Sequence, residues 1–296
     1  MLNIFEKEEI KISDARNFKL KSLKTSYQTD HKSDESVKIE LQEITEDISK
    51  LQDKLFAQGK HSVLLVLQAI DAAGKDSCIK KVFSGVNPQG IKVINFKQPS
   101  KEELAQDFLW RITKNLPERG MIHIFNRSHY EEVIVTKVHP EYILSQNVPS
   151  INTIKDIDEK FWENRYESIN SFEKHLVESG TIIIKVFLNL NKTEQKNRFL
   201  DRINTSKKNW KFNENDLKER KLWDKYQICY QNMIEKTSSK SAPWFVVPSD
   251  NQWISRLMVG EIVLKTLQNL DLEYPVLSET ELEVLTQSKS ELEAES

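Results

Sequence analysis

The sequence predicts an α/β protein: a three-layer α/β/α sandwich around a five-stranded parallel sheet. Three observations lead there. Five short apolar runs rich in Val, Ile and Phe recur along the chain, and longer amphipathic stretches separate them. The turn after the first run, Ala69-Ile70-Asp71-Ala72-Ala73-Gly74-Lys75, passes at once into helix-compatible sequence. Strands that alternate with helices pair in parallel and are covered on both faces.

Taken in order, residues 1–36 are polar, show little periodicity and are expected to form an extended arm. Ile39, Leu41, Ile44, Ile48, Leu51 and Leu55 then follow approximate helical spacing, the pattern of a helix packed on a core. Strands are expected at 63–67, 91–96, 121–125, 181–188 and 244–247. Helices are expected at 76–83, 101–116, 154–178, 192–204, 214–237 and 252–270. The folded domain spans 37–270, and 271–296 is expected as a flexible acidic tail in which Lys289 is the single cation.

Composition narrows the classes. At 296 residues the chain can bury a sizeable core, and a net charge of −2 with 30% charged residues points to neither nucleic acid nor a membrane. Two cysteines, Cys78 and Cys229, make no disulfide framework and suit a reducing cytosol. The start, MLNIFEKEEIKIS, carries acidic residues where a signal peptide needs a basic start and an apolar run. A cytoplasmic enzyme domain is expected.

The loop after the first strand carries the chemistry. Its amides and the first free N–H groups of the next helix converge on one place, and Lys75 adds a full positive charge, which makes a phosphate cradle. Ala72, Ala73, Gly74, Lys75 and Asp76 are the candidate phosphate-binding residues of a phosphate-loop kinase-like domain. The loop departs from GxxxxGK[ST], with Ala69 at the first glycine and Asp76 at the hydroxyl position. Asp71 would repel phosphates unless a divalent cation lay between them. A Gly-Lys pair at a helix start can also arise by chance. Further along, residues 198–212 gather cations around a short polar turn, and Asn213 with Asp216 reads as a helix start. A solvated surface is the ordinary explanation. The position one helix after a strand suits instead a basic helical lid over about 198–225.

Two more motifs reduce the role of chance: Ser84-Gly85-Val86-Asn87-Pro88-Gln89-Gly90, and Ile124-Phe125-Asn126-Arg127-Ser128-His129-Tyr130-Glu131-Glu132-Val133. With the AIDAAGKD loop they closely resemble the polyphosphate kinase 2 family. The likeness is greatest to its class III subgroup, whose second motif reads FNRSHY rather than FDRSWY. It runs from about Leu51 to about Pro275, and the first sixty residues and the acidic tail carry little of it. The resemblance implies Mg²⁺-dependent (or Mn²⁺-dependent), reversible phosphoryl transfer between inorganic polyphosphate and nucleoside mono- or diphosphates. AMP would become ADP and ADP become ATP, with guanine nucleotides as a further option, in a homo-oligomeric enzyme (dimer or tetramer). The family's functional positions map onto Asp71, Lys75, Asn126, Arg127, Arg198 and Arg202.

Phosphoryl transfer requires donor and acceptor oxygens in line and the moving charge neutralised. Lys75 and the loop amides suit the nucleotide phosphates, and Arg127, just past a strand end, suits the transferring group as a planar cation. Arg198, Arg202, Lys208 and Lys211 are expected to close over the top, with Lys207, Lys208 and Lys211 along the polyphosphate. Asp71 is the preferred direct or water-bridged metal ligand and Glu131 the next, while Asn126 can offer a carbonyl oxygen or hold a water but brings no negative charge. His129 is expected to pack or hydrogen-bond rather than carry phosphate, and Cys78 to be a small buried packer. Trp210, Trp223 and Tyr226 read as lid and helix packing. Two alternatives stay open: an ATP-dependent nucleoside monophosphate kinase, and a non-catalytic nucleotide or polyphosphate sensor. A polyanion needs a long basic track, whereas a monophosphate needs a compact base pocket.

Overall fold

The computed structural model describes residues 2, 4, 5, 7–29 and 33–295. A two-residue strand, β1 (Lys11–Ile12), precedes a long helix, α1 (Asp34–Gln58). Ser33 caps α1 by accepting from the Ser36 amide, and Gly59 ends it at φ 60°, a left-handed turn that a side chain would strain. Next come β2 (Ser62–Gln68), α2 (Lys75–Val82), β3 (Ile91–Asn95), α3 (Lys101–Leu104), α4 (Trp110–Thr113) and β4 (Ile122–Asn126). The helices α5 (Glu131–Val138), α6 (Glu141–Leu144) and α7 (Glu159–Glu178) lead to β5 (Thr181–Asn189). After it, α8 (Lys192–Asn204), α9 (Glu214–Lys221) and α10 (Trp223–Thr237) lead to β6 (Trp244–Pro248), α11 (Gln252–Gln268) and α12 (Glu279–Ala294).

The expected five-stranded parallel sheet is present, in the order β6-β5-β2-β4-β3, and β1 adds a sixth strand antiparallel to β6. Every residue of β2, β4 and β6 is buried, which is why these strands read as continuous apolar runs rather than alternating ones. Helices α1, α2 and α11 cover one face, and α5, α7 and α10 the other. Where α11 crosses α1, a Cβ on Gly260 would come within 3.1 Å of the Ile44 side chain and 3.2 Å of Leu41, so glycine permits the close approach.

The described part of the segment expected as an arm lies against the domain. Ile4, Ile10, Ile12 and Leu20 are buried, and the amides of Leu2 and Ile4 donate to the buried Glu261 carboxylate at 2.9 and 3.0 Å. Two expected helices are split. The 101–116 stretch breaks where the Asp107 side chain accepts from the Leu109 amide, and the 214–237 stretch turns at Leu222. Beyond Leu272 the chain leaves the core, and α12, opened by a Ser278–Glu281 capping box, is exposed along its whole length. Among the described residues no helix is long and apolar enough to cross a membrane.

β2 lies between β5 and β4, so the chain runs first to one side of it and then to the other. This is a topological switch point, and the crevice at the carboxyl ends of such strands is where open α/β sheets hold ligands. The phosphate loop and Asn126-Arg127 both stand there.

Candidate active site

The loop between β2 and α2 has its carbonyls turned toward the protein and capped one by one. Lys75 Nζ donates to the carbonyls of Ala69 (2.8 Å) and Ile70 (3.5 Å), and Gln195 Nε2 to that of Asp71 (2.9 Å). Arg198 Nη1 donates to the carbonyls of Ala72 (3.1 Å) and Ala73 (2.8 Å), and Ser249 Oγ also reaches Ala73 (3.0 Å). Ala72 (φ 66°) and Gly74 (φ 107°) take the left-handed conformations that this turn demands. No side chain caps α2, whose first amides therefore keep their donors for a ligand. An anion at this helix start gains both those hydrogen bonds and the positive end of the helix dipole.

Lys75 is buried at the mouth of this cradle. Burial, and then the neighbouring Arg127 charge, hold its ammonium down to about 8. Cys78, one turn into α2, is buried as well, and its thiol is pushed up to about 12, so it packs rather than reacts.

Asn126 ends β4, and Arg127 follows at φ 65°, an uncommon conformation for a residue with a Cβ. The guanidinium bridges two carboxylates: Nη2 donates to Asp71 at 2.6 Å and Nη1 to Glu131 at 3.0 Å. Those partners, Glu131 above all, hold the Arg127 charge in place against the cost of burial. Asn126 Nδ2 donates to Asp76 and to Asn95, both at 2.7 Å. Its Oδ1 is buried with no partner among the described residues. Beneath them lies a buried polar knot. Lys185 Nζ contacts Glu173 at 2.7 Å, and Glu173 also accepts from Tyr130 OH at 2.5 Å and faces His129 Nε2 at 3.2 Å. His129 is thus packed and hydrogen-bonded within the core.

The cations of 198–212 divide. Arg198 lies under the loop with all five of its N–H donors committed: Nε to Glu194, Nη1 to Ala72 and Ala73, and Nη2 to the carbonyls of Ser249 (2.5 Å) and Asp250 (3.1 Å). It is placed to hold the cradle rather than to close over it. Charged hydrogen bonds contribute roughly 1.5–3 kcal/mol each, so this set resists being broken. Arg202, one turn on, is half-buried and faces Asp216 at 3.5 Å. Lys208 reaches Asp201 at 2.6 Å. Arg202, Lys208 and Lys211 line the cleft, whereas Lys207 is exposed and stands outside its lining. Trp210 is 78% exposed with Lys211 Nζ 5.1 Å from its ring centre, at the outer edge of the cleft. Trp223 and Tyr226 are buried as packers. The cleft has a volume of about 1010 Å³ and includes Asp71, Ala72, Gly74, Lys75, Asp76, Asn126, Arg127 and Glu131, but not the Ala73 side chain.

A divalent cation fits this site only as a partner of substrate. Among the described residues no three His, Cys, Asp or Glu side chains converge as a self-contained cage. Asp71 and Glu131 each have one oxygen on Arg127, and the orphaned Asn126 Oδ1 is an acceptor awaiting a donor such as a metal-bound water. Mg²⁺ tolerates so sparse a protein contribution because it retains waters and takes phosphate oxygens.

Comparison with known proteins decides the family. The sequence model of polyphosphate kinase 2 (PPK2) matches residues 31–275. The chain belongs to the polyphosphate kinase 2 family. It is 46% identical over 247 residues to an ADP-polyphosphate phosphotransferase of Rhodopseudomonas palustris, covering 83% of this chain and 84% of that one. It is 42% identical over 228 residues to an AMP/ADP-polyphosphate phosphotransferase of Meiothermus ruber, covering 77% and 80%. The crystal structure of polyphosphate kinase 2 from Arthrobacter aurescens TC1 superposes with a TM-score of 0.84 at 35% identity, over 95% of this chain and 96% of that chain.

Within this polyphosphate kinase 2 fold, several site residues escaped sequence reasoning. Asn95 ends β3 beside Asn126, and Arg111 lines the cleft from α4. Gln195 and Ser249 hold loop carbonyls, and Lys185 lies in the middle of an otherwise apolar strand. Lys185 had a signal, a cation inside a buried run. Gln195 had none, because a glutamine on an amphipathic helix is ordinary.

Proposed function

We propose that this chain catalyses reversible, Mg²⁺-dependent phosphoryl transfer between inorganic polyphosphate and adenine nucleotides, AMP to ADP and ADP to ATP, with the segment that runs from beyond the fixed Arg198 through α9 as its lid. The observation that carries the reading is the convergence, in one cleft, of an uncapped helix start, a buried lysine, and an arginine held between two carboxylates. The names of the Rhodopseudomonas and Meiothermus relatives support the substrate pair. The free α2 amides and Lys75 bind phosphate oxygens of one substrate. Arg127, kept charged and aimed by Glu131 and Asp71, meets the group in flight and offsets its equatorial charge. Arg202, Lys208 and Lys211 neutralise the chain that runs out under the cover, and a cleft of about 1010 Å³ has room for a nucleotide together with several phosphates. Asp71 and Glu131 would hold the cation with Asn126 Oδ1 taking one of its waters, and when bound it would neutralise and orient the phosphates.

The test is direct. Purified protein is incubated with Mg²⁺, polyphosphate and each nucleotide in turn, and the products are separated. ADP from AMP and ATP from ADP are expected. Product only with ATP as donor would replace this reading by a nucleoside monophosphate kinase, and binding without turnover would replace it by a sensor.

A further inference from the structure

Two side chains connect the cover of the cleft to a backbone carbonyl of its floor. Arg220, on α9, donates from Nη1 to Gln195 Oε1 at 2.7 Å and to the Lys192 carbonyl at 2.8 Å. Gln195, on α8 and buried, donates from Nε2 to the Asp71 carbonyl at 2.9 Å. The residue after Asp71, Ala72, has the left-handed backbone described above, and the Asp71 side chain holds Arg127. The amide of Gln195 is therefore engaged at both ends, its oxygen on the lid and its nitrogen on the phosphate loop.

The way α9 is attached makes this connection matter. No residue of α9 is buried. Besides Arg220, its inward polar contacts are Asp216 with Arg202 at 3.5 Å, and Glu219 with His139 at 2.9 Å and Tyr226 at 2.6 Å. A small second cleft separates α9 from the loop, lined by Asp71, Arg127, Gln195, Asp216, Glu219 and Arg220 among others. Of these contacts the Arg220–Gln195 pair alone continues, among the described hydrogen bonds, to the backbone of the phosphate loop. A helix held by polar contacts and no buried side chain can lift at modest cost.

We propose that Gln195 is a positioning residue that transmits the placement of α9, through Arg220, to the Asp71 carbonyl, so that closure of the lid sets the geometry of the phosphate loop. The inference rests on the functional reading above for its kinetic consequence, but not for its structural one. When Arg220 is docked, the Gln195 amide is oriented with its N–H toward the loop, and the loop carbonyl stays on the protein side. When α9 lifts, the amide is free to rotate and the loop loses one of the donors that aim Asp71 and, through it, Arg127. Misplacement of a charged group by a fraction of an ångström is sufficient to slow an in-line transfer.

Gln195→Glu is the discriminating variant. It keeps an acceptor for Arg220, with added charge, but turns a carboxylate oxygen toward the Asp71 carbonyl. If Gln195 only anchored the lid, this variant would behave as wild type. As a relay it should lower kcat by roughly ten-fold while nucleotide KM changes less. Arg220→Ala, at a half-buried surface position that leaves the core intact, should lower kcat by a similar factor. The pair Gln195→Ala and Arg220→Ala should be strongly non-additive, since both interrupt one connection. Amide hydrogen exchange of residues 71–75 in the nucleotide-free protein gives a readout independent of turnover, and it should quicken in Arg220→Ala. Wild-type kcat in Gln195→Glu, additive losses in the double variant, or unchanged exchange in Arg220→Ala would each overturn the relay. A wild-type protein that makes no polyphosphate-dependent product would overturn the functional reading instead, and the exchange experiment would still decide the relay.

Discussion

The floor of the cleft and its cover are made of the same residue types, arginines, lysines and carboxylates, but are held in opposite ways. On the floor, Arg198 spends five N–H groups on protein acceptors and Lys75 is buried over two carbonyls, and in the core behind it Lys185 and Glu173 form a buried pair with Tyr130 and His129. On the cover, Lys208 pairs with Asp201 in the open, Arg202 touches Asp216 at 3.5 Å, and α9 buries no residue. Burial makes the difference in energy. Exposed ion pairs contribute about 0–1 kcal/mol, whereas removing one partner of a buried pair costs about 3–5 kcal/mol. The floor is therefore set before substrate arrives, and the cover can take its final place around it.

The contrast can be broken in order of expected effect. Lys75→Ala should reduce turnover by at least ~100-fold while the domain still folds, because it removes the positive charge of the cradle and two hydrogen bonds to loop carbonyls rather than an apolar packing element. Initial rates beside a thermal melt check this, and near-normal turnover in a folded variant would end the assigned role. Glu173→Ala should cost about 3–5 kcal/mol in a urea titration, by stranding Lys185 without its partner. Asp216→Ala on the cover should cost less than about 1 kcal/mol. The Glu173 carboxyl, pushed up by burial but pulled down further by Lys185 and His129, settles at about 2. The stability it supplies is thus whole above the ordinary carboxylate range and lost as pH falls through about 2, so the gap between the two variants should narrow in acid.

The cover sharpens the comparison through salt. If Lys208 and Lys211 follow the polyanion, replacing both by Ala should raise KM for long polyphosphate several-fold and flatten its dependence on ionic strength, by analogy with counterion release from nucleic acids. Equal salt slopes for wild type and variant would place the chain elsewhere. The smallest expected effect is one of pH. The Lys75 ammonium, held to about 8 in the free protein, should be raised by bound phosphate, so binding near and above pH 8 should take up a proton. Nucleotide KM should then rise as pH passes 8, and titration calorimetry in buffers of different ionisation enthalpy should detect the uptake.

What the sequence made legible divides along the same line. The parallel sheet could be read because buried strands such as Ser62–Gln68 are nearly uninterrupted apolar runs, and the loop because a strand, small residues and Gly-Lys occur in direct succession. Lys75, Asp71, Asn126 and Arg127 were named, and they do lie together in the cleft. The environment of Arg198 was not legible. Position one helix after a strand says that an arginine is near the loop, but only the tertiary fold says that its donors face the loop's carbonyls. Asn95 and Gln195 were missed for the same reason, since their partners lie 31 and 124 positions away. Strand β1 was missed because two residues are too few to show a period.

That short strand has a consequence for how the chain reaches its final form. Lys11 and Ile12 close the edge of the sheet at Phe245 and Trp244, and the Ile4 amide finds its acceptor on Glu261, 257 positions away. During synthesis, Ile4, Ile10 and Ile12 must wait, unpaired and apolar, until nearly the whole domain has left the ribosome. The β6 edge in turn remains a free template for foreign strands until they arrive. This segment thus serves as a fastening of the assembled sheet, synthesised well before the strand it closes on, and its resistance to a protease is expected to report when that edge is closed.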